Sequence, residues 1–307
     1  MSAPTPEPRR GGFFWKTVLV LIALSFAIVP IVLHFGQQRH NVLGFDVTRE
    51  YPPDRAIVPG EAYAATAIAI IDHELNGVTG WRPNDFVLWG PQLWADNNSN
   101  RQLGIIQALR ESTRVFKDHL TKVSSDDFDR NLVEADTSLR NDAEKFWFPS
   151  AESKLREGAR HLEAYIAGLK TAPLTSRPIN LRNMELIRLY QAWTDLLGAA
   201  HAALYKPASG WFTTDDDFYR AQGYAHVIHH MGLAIGREYQ NEMKIKPVVG
   251  TLIDEANVAL GKAATMKPLI ILDGGSNSLF ANHRRNLDAY INEARQKMYS
   301  IREELEK

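Results

Sequence analysis

His226, His229 and His230 fall within one turn of any helix that contains them. His226 and His230, four apart, have the spacing by which two imidazoles reach one metal ion. On a helix the three cover about 100° of arc, and Tyr224, Ile228, Met231 and Ile235 form an apolar stripe on the other side. The rest of a metal site is missing. A zinc protease needs H-E-x-x-H, whereas His73-Glu74 runs on into Leu75-Asn76-Gly77, and the paired E-x-x-H of a di-iron bundle does not occur. Asp72, His73 and His201 are the outside ligands on offer. The expectation is that the histidines are structural and that the protein carries no cofactor, with a metal on His226 and His230 as the alternative.

A second group has the chemistry of a sugar site. Trp81, Trp89 and Trp94 crowd one segment with Asn84, Asp85, Gln92, Asp96, Asn97 and Asn98. Indole faces stack on the C–H face of a sugar ring while amides and carboxylates take its hydroxyls. The ligand-binding set would be Trp81, Trp89, Trp94 and Asp85. The plainer expectation is a satellite core that pins a long loop to the body of the protein. Asp215-Asp216-Asp217 lacks the alternating acids and glycine of a calcium loop and reads as the first turn of a helix. With no cysteine, thiol nucleophiles, disulfides and thiolate metal sites are excluded. No P-loop, nucleophile elbow or dinucleotide fingerprint occurs, so no catalytic residue is assigned. A net charge of −1 gives no sign of the basic face that nucleic acid requires.

The elements that would position these groups are helices. Helical patterns run over Glu61 to Leu75, rich in alanine and isoleucine without a breaker, Arg101 to Val123, Ala151 to Leu169, Leu181 to Tyr205, Asp215 to Gln240, Val248 to Met266 and Asn277 to Leu305, while the polar Asp127 to Phe146 reads as a weaker helix or two. Leu186, Tyr190, Trp193, Leu197, Ala200 and Leu204 make the cleanest seam, of the kind that packs helices at shallow angles. No useful length of alternating pattern predicts a sheet, and Leu269 to Leu272 reads as a buried linker. The expected fold is all-α, an irregular bundle of about seven or eight helices over 60–307.

Phe13 to Phe35 carries one charge, Lys16. Twenty-three residues span about 35 Å as a helix, enough for a hydrocarbon core of about 30 Å. The run is too long for a signal peptide and ends without an A-x-A-like site. It reads as an uncleaved transmembrane helix over 13–35, with a cytoplasmic tail of 1–12 and a proline-containing linker of 36–59. Arg9, Arg10 and Lys16 against Arg39 and Arg49 favour a cytoplasmic N-terminus. The tail is too short and proline-rich to be an output domain.

GWRPNDFVLWGP (80–91), RNDAEKFWFPSAESK (140–154), NMELIRLYQAWTDLLG (183–198) and DDFYRAQGYAHV (216–227), behind such an anchor, resemble an uncharacterised family of Gram-negative bacterial membrane proteins, domain of unknown function 2333. The resemblance extends from Tyr51 to the C-terminal helix. It implies a bacterial inner-membrane protein and no activity. The leading expectation is a single-pass envelope protein with its bundle in the periplasm, acting as an interaction or scaffold protein on envelope proteins or as a homo-oligomer. The alternative is a periplasmic ligand-binding or enzymatic domain using the tryptophan loop and the histidine helix.

Overall fold

Helix starts are written locally. Asp129 accepts from the amides of Asn131 and Leu132, Ser150 from that of Ser153, and Asn282 from that of Arg285. Pro247 occupies a first-turn position where its missing N–H costs nothing. The computed structural model describes residues 11–77, 79–85, 96–122, 128–206, 214–268, 271–274 and 281–307. Its elements are α1 (Gly11–His40), α2 (Val47–Glu50), α3 (Glu61–Asn76), α4 (Asp96–Val115) with a π-helical turn (Phe116–Leu120), α5 (Arg130–Leu139), α6 (Ala151–Leu169), α7 (Asn183–Tyr205), α8 (Thr214–Glu238), α9 (Gln240–Ile245), α10 (Pro247–Ala264) and α11 (His283–Glu306).

Each of the eight helical stretches expected after residue 60 contains a long helix, so the all-α expectation holds. The expected number of seven or eight is too low. The additional elements in 60–307 are α9 and the π turn, and α2 stands in the expected linker; each is too short to display a periodicity. Asp127 to Phe146 yields only α5, and Arg101 to Val123 ends in the π turn. Among the described residues there is no strand, only an isolated bridge between Asp273 and Asn282.

The long helices alternate in direction. The C-terminal ends of α3, α7 and α10 and the N-terminal ends of α4, α6, α8 and α11 share one end of the bundle. Contacts such as Asn100–Asp216, Gln222–Met266 and Arg284–Ala203 define it. At the opposite end Glu238, closing α8, reaches the amide of Tyr63 in the first turn of α3, and Tyr239 reaches the carbonyl of Asn180 before α7. The α7 seam is buried throughout. α8 is the central helix: Tyr224, Ile228, Met231 and Ile235 are buried, and so is His226 on the other side. It lies parallel to α4 at a separation only glycine allows. A Cβ at Gly104 would sit 2.2 Å from the carbonyl oxygen of Arg220, and one at Gly223 2.2 Å from that of Arg101.

α1 is continuous from Gly11 to His40, and its large apolar side chains are exposed. Among the described residues no helix is long and apolar enough to cross a membrane; the side chains at 13, 27, 30, 33 and 34 are not among them. From His40 the chain runs back along the bundle as a strap. Leu43, Val47 and Tyr51 are buried beneath it, and Arg237 donates to the carbonyls of Tyr51 and Pro52 at 2.7 and 2.9 Å and to that of Arg55.

Candidate functional site

The densest group of buried, chemically capable side chains lies where α1 meets the bundle. α3 ends in His73 and Glu74, and Gly77 follows as its C-cap. A Cβ at Gly77 would lie 1.7 Å from Cε1 of His40, so only glycine lets the end of α1 settle there. The His40 and His73 rings stack with centroids 4.1 Å apart and planes 7° apart. His73 Nε2 is 2.6 Å from the carbonyl oxygen of His40.

Glu74 is the centre of the group. Arg101 Nη1 on α4 lies 3.2 Å from its Oε1, Gln102 Nε2 donates to its Oε2 at 3.0 Å, and His40 Nε2 is 3.5 Å from the same oxygen. Burial alone would raise the carboxyl, but the Arg101 charge, with the His40 and Gln102 contacts, outweighs it and holds the group at about 2. Gln102 also donates to the carbonyl of Gly80 and accepts from the amide of Arg82, which fixes the chain leaving α3. Arg101 is fully buried, and its Nε and Nη2 make no hydrogen bond among the described residues.

The α8 histidines stand behind this ion pair. His226 and His230 meet edge to face at 4.7 Å, as do His229 and His230 at 4.9 Å. Burial, then the charge of Arg101, drives His226 well below its ordinary range. Burial with His229 and Arg101 brings His230 down to about 3. His229 bonds the carbonyl of Asn257 on α10 and is lowered by burial. These imidazoles are neutral at physiological pH and make no ion pair with an acid among the described residues. They face other helices instead.

His40, His73 and Glu74 are close enough to be tested as metal ligands, with one ligand atom from each within 4.8 Å of the others. The separation of His40 Nε2 and Glu74 Oε2 matches an edge of a zinc tetrahedron, which is about 3.3 Å for bonds of about 2.0–2.1 Å. The stack defeats the third ligand. Lone pairs of an imidazole lie in the ring plane, and two nearly parallel planes this far apart share no point about 2 Å from a nitrogen of each. In this arrangement the site is an ion-pair junction, and Arg101 supplies its cation.

The tryptophan set is not presented as one site by the described residues. Trp81 is buried and donates through Nε1 to the carbonyl of Ala143 at 3.0 Å, so it pins the α5–α6 connection and offers no open stacking face. Asp85 is tied to Arg82 at 2.8 Å. Trp89 and Trp94 lie outside the described residues. An open depression of about 360 Å³ beside α3 is lined by His73, Asp72, Asn76, Gly77 and the strap residues Leu43 to Phe45, so the junction meets it through His73 and Gly77. His201 pairs with Asp288 on α11, far along the chain from the α8 histidines. The sequence reading missed the roles of His40, Arg101 and Gln102, because each is defined by a partner on another helix.

A family model for an uncharacterized protein conserved in bacteria, DUF2333, matches residues 9–207 and 197–307. The chain belongs to that family. No curated protein and no solved structure matches it. Membership covers α1 and the whole bundle, so the junction between them lies within what the family model describes.

Proposed function

We propose that this chain is a membrane-anchored protein of the bacterial envelope. α1 crosses the inner membrane over 13–35, residues 1–12 face the cytoplasm, and the bundle stands in the periplasm as an interaction or scaffold module. One observation carries the reading: α1 is a continuous 30-residue helix that leaves most of its described large apolar side chains exposed, although its C-terminal end is clamped into the bundle. Phe14, Leu19 and Val32 are 63%, 63% and 61% exposed. That much apolar surface over a helix some 45 Å long, at 1.5 Å per residue, calls for lipid around it. The stacked His40 makes the helix end a rigid joint, which suits a module held at a set position over the membrane.

Fractionation of cells producing the full chain tests this. The chain is expected to stay with membranes through an alkaline carbonate wash, and a C-terminal alkaline phosphatase fusion is expected to be active. Release into the wash, or an inactive phosphatase beside a fluorescent cytoplasmic-type reporter, overturns the anchor or its orientation respectively.

A further inference from the structure

The connection between α5 and α6 carries Phe146, Trp147 and Phe148 at its tip, with Trp147 71% and Phe148 95% exposed. This is not a slack loop. The carbonyl of Lys145 accepts from the amide of Ala151 at 3.0 Å, closing the tip, and from Asn84 Nδ2 at 3.2 Å. Asn84 also donates to Glu152 at 2.9 Å, and Trp81 holds Ala143. Two side chains of the segment after α3 thus brace the tip while Trp147, edge to face with Phe146, and Phe148 stand exposed. Ordered aromatic side chains in water are costly, and a braced base cannot fold them back.

Position selects what covers them. Thr79 stands between the two structures. Its methyl is where a Cβ at Gly36, near the end of α1, would make contact at 3.5 Å, and its hydroxyl accepts from Asn98 at the start of α4. Two residues on, Trp81 holds Ala143, and Trp147 is four residues further. At no more than about 3.5 Å per residue these links keep the tip within about 30 Å of the place where α1 enters the bundle, and at the same end. Tryptophan favours the headgroup layer, where its amphipathic ring finds both an apolar and a wet side, phenylalanine adds apolar area that can be buried below it, and Lys145 adds a cation for anionic headgroups. Ile245, also strongly exposed at 82%, stands at the opposite end with Val248 three residues on and no exposed aromatic ring beside it among the described residues.

We infer that Phe146–Phe148 is a second membrane contact: the tip dips into the headgroup layer of the same bilayer that α1 crosses, so that the bundle meets the membrane at two places. This rests on the proposed α1 span, and the test separates the two. Since the chain has no cysteine, single cysteines can be introduced without altering any other thiol. Leu24→Cys, Trp147→Cys, Phe148→Cys and Ile245→Cys, each in the full chain, are labelled with a nitroxide. They are reconstituted into vesicles of phosphatidylethanolamine and phosphatidylglycerol, and collision with dissolved oxygen is compared with collision with a water-soluble nickel chelate. The ratio of oxygen to nickel accessibility is expected to be severalfold higher at 147 and 148 than at 245, and highest at 24. A lipid signal at 24 with a water signal at 147 and 148 overturns the inference and leaves the span standing. Labels at 147 and 148 shielded from both reagents overturn it in favour of a protein cover, such as a second copy. A water signal at 24 overturns the span and, with it, the inference. Labelling two neighbouring positions guards against one variant failing to fold, and circular dichroism checks each.

Discussion

Glu74 and Glu238 are both buried glutamates near the ends of long helices, and they sit at opposite ends of the bundle in opposite states. Glu74 has a guanidinium at 3.2 Å and is held at about 2. Glu238 has no ion pair among the described residues. It accepts from the amide of Tyr63 at 3.0 Å, with the Gly60 and Ala62 amides also favouring its charge, and burial outweighs all three, lifting the carboxyl to about 7. The amides at a helix N-terminus amount to about half a charge, and here they hold a buried carboxylate less firmly than one full charge in contact. One glutamate is a fixed ion and the other titrates near neutrality.

The contrast is broken most severely by removing the cation. Arg101→Met leaves Glu74 buried and unpaired, and urea denaturation is expected to show a loss of about 3–5 kcal/mol. The double variant Arg101→Met, Glu74→Met should recover most of it. A single variant as stable as the parent would mean that Arg101 does not hold the carboxylate.

Next in size is the backing of Arg101. Gly223→Ala would place a Cβ 2.2 Å from the Arg101 carbonyl oxygen and 2.8 Å from the amide nitrogen of Ile105. Pushing α4 off α8 is expected to cost about 1–3 kcal/mol. A Tm no lower than that of the parent counts against the close approach of the two backbones.

The pH dependence sharpens the comparison. For Glu238 the folded value lies above the ordinary 4.5, so the folded state binds more protons in between. Its stabilising contribution is complete below about pH 4.5 and is lost as pH rises to about 7. For Glu74 the folded value lies below, so its contribution is present above about pH 4.5 and is lost as pH falls towards 2. His226, His229 and His230, lowered by burial, give parent and variants alike an opposite slope below about pH 6.5, so the readout is the difference. The stability of the parent relative to Glu238→Gln is expected to fall by about 1–2 kcal/mol between pH 5 and 7.5, with no such fall relative to Glu74→Gln. Denaturation midpoints across this range, parallel in the parent and Glu238→Gln, would refute the assignment.

The smallest expected effect is none. His226 and His230 bring no third metal ligand within reach among the described residues. Elemental analysis of untagged protein is expected to find no stoichiometric transition metal, with or without their joint replacement. One metal per chain, lost on replacement, would place a second cation near Glu74 and remove the basis of the contrast.

The long helices were legible because each carries a stripe over four or more turns. Leu186 to Leu204 became buried as its spacing implied. Elements of four to six residues, α2 and α9, were not legible, because one turn has no period. What the α8 histidines face was not legible in the sequence, because it is set by neighbouring helices, as in the bond of His229 to the Asn257 carbonyl on α10. The stripe reading still made α8 one-sided, whereas it is central and buried on both sides, a matter decided by α4 and α10 rather than by its own residues. The junction itself was least legible. His73-Glu74 was seen as a failed protease motif, and its real partners, His40, Arg101 and Gln102, lie about 30 residues away on either side along the chain. Gly77 was a signal in principle, but its meaning depends on a ring that arrives from α1.

The strap has a mechanical consequence. The chain enters the bundle at His40 beside the end of α3 and does not join the next long helix until Glu61, at the far end. A pull on α1 is therefore resisted first by the ring seated on Gly77, and then along a tether whose far end is fastened by the three carbonyls held by Arg237. The load passes to the end of α3 through that ring and to α8 through Arg237 before any of it reaches the start of α3 at Glu61.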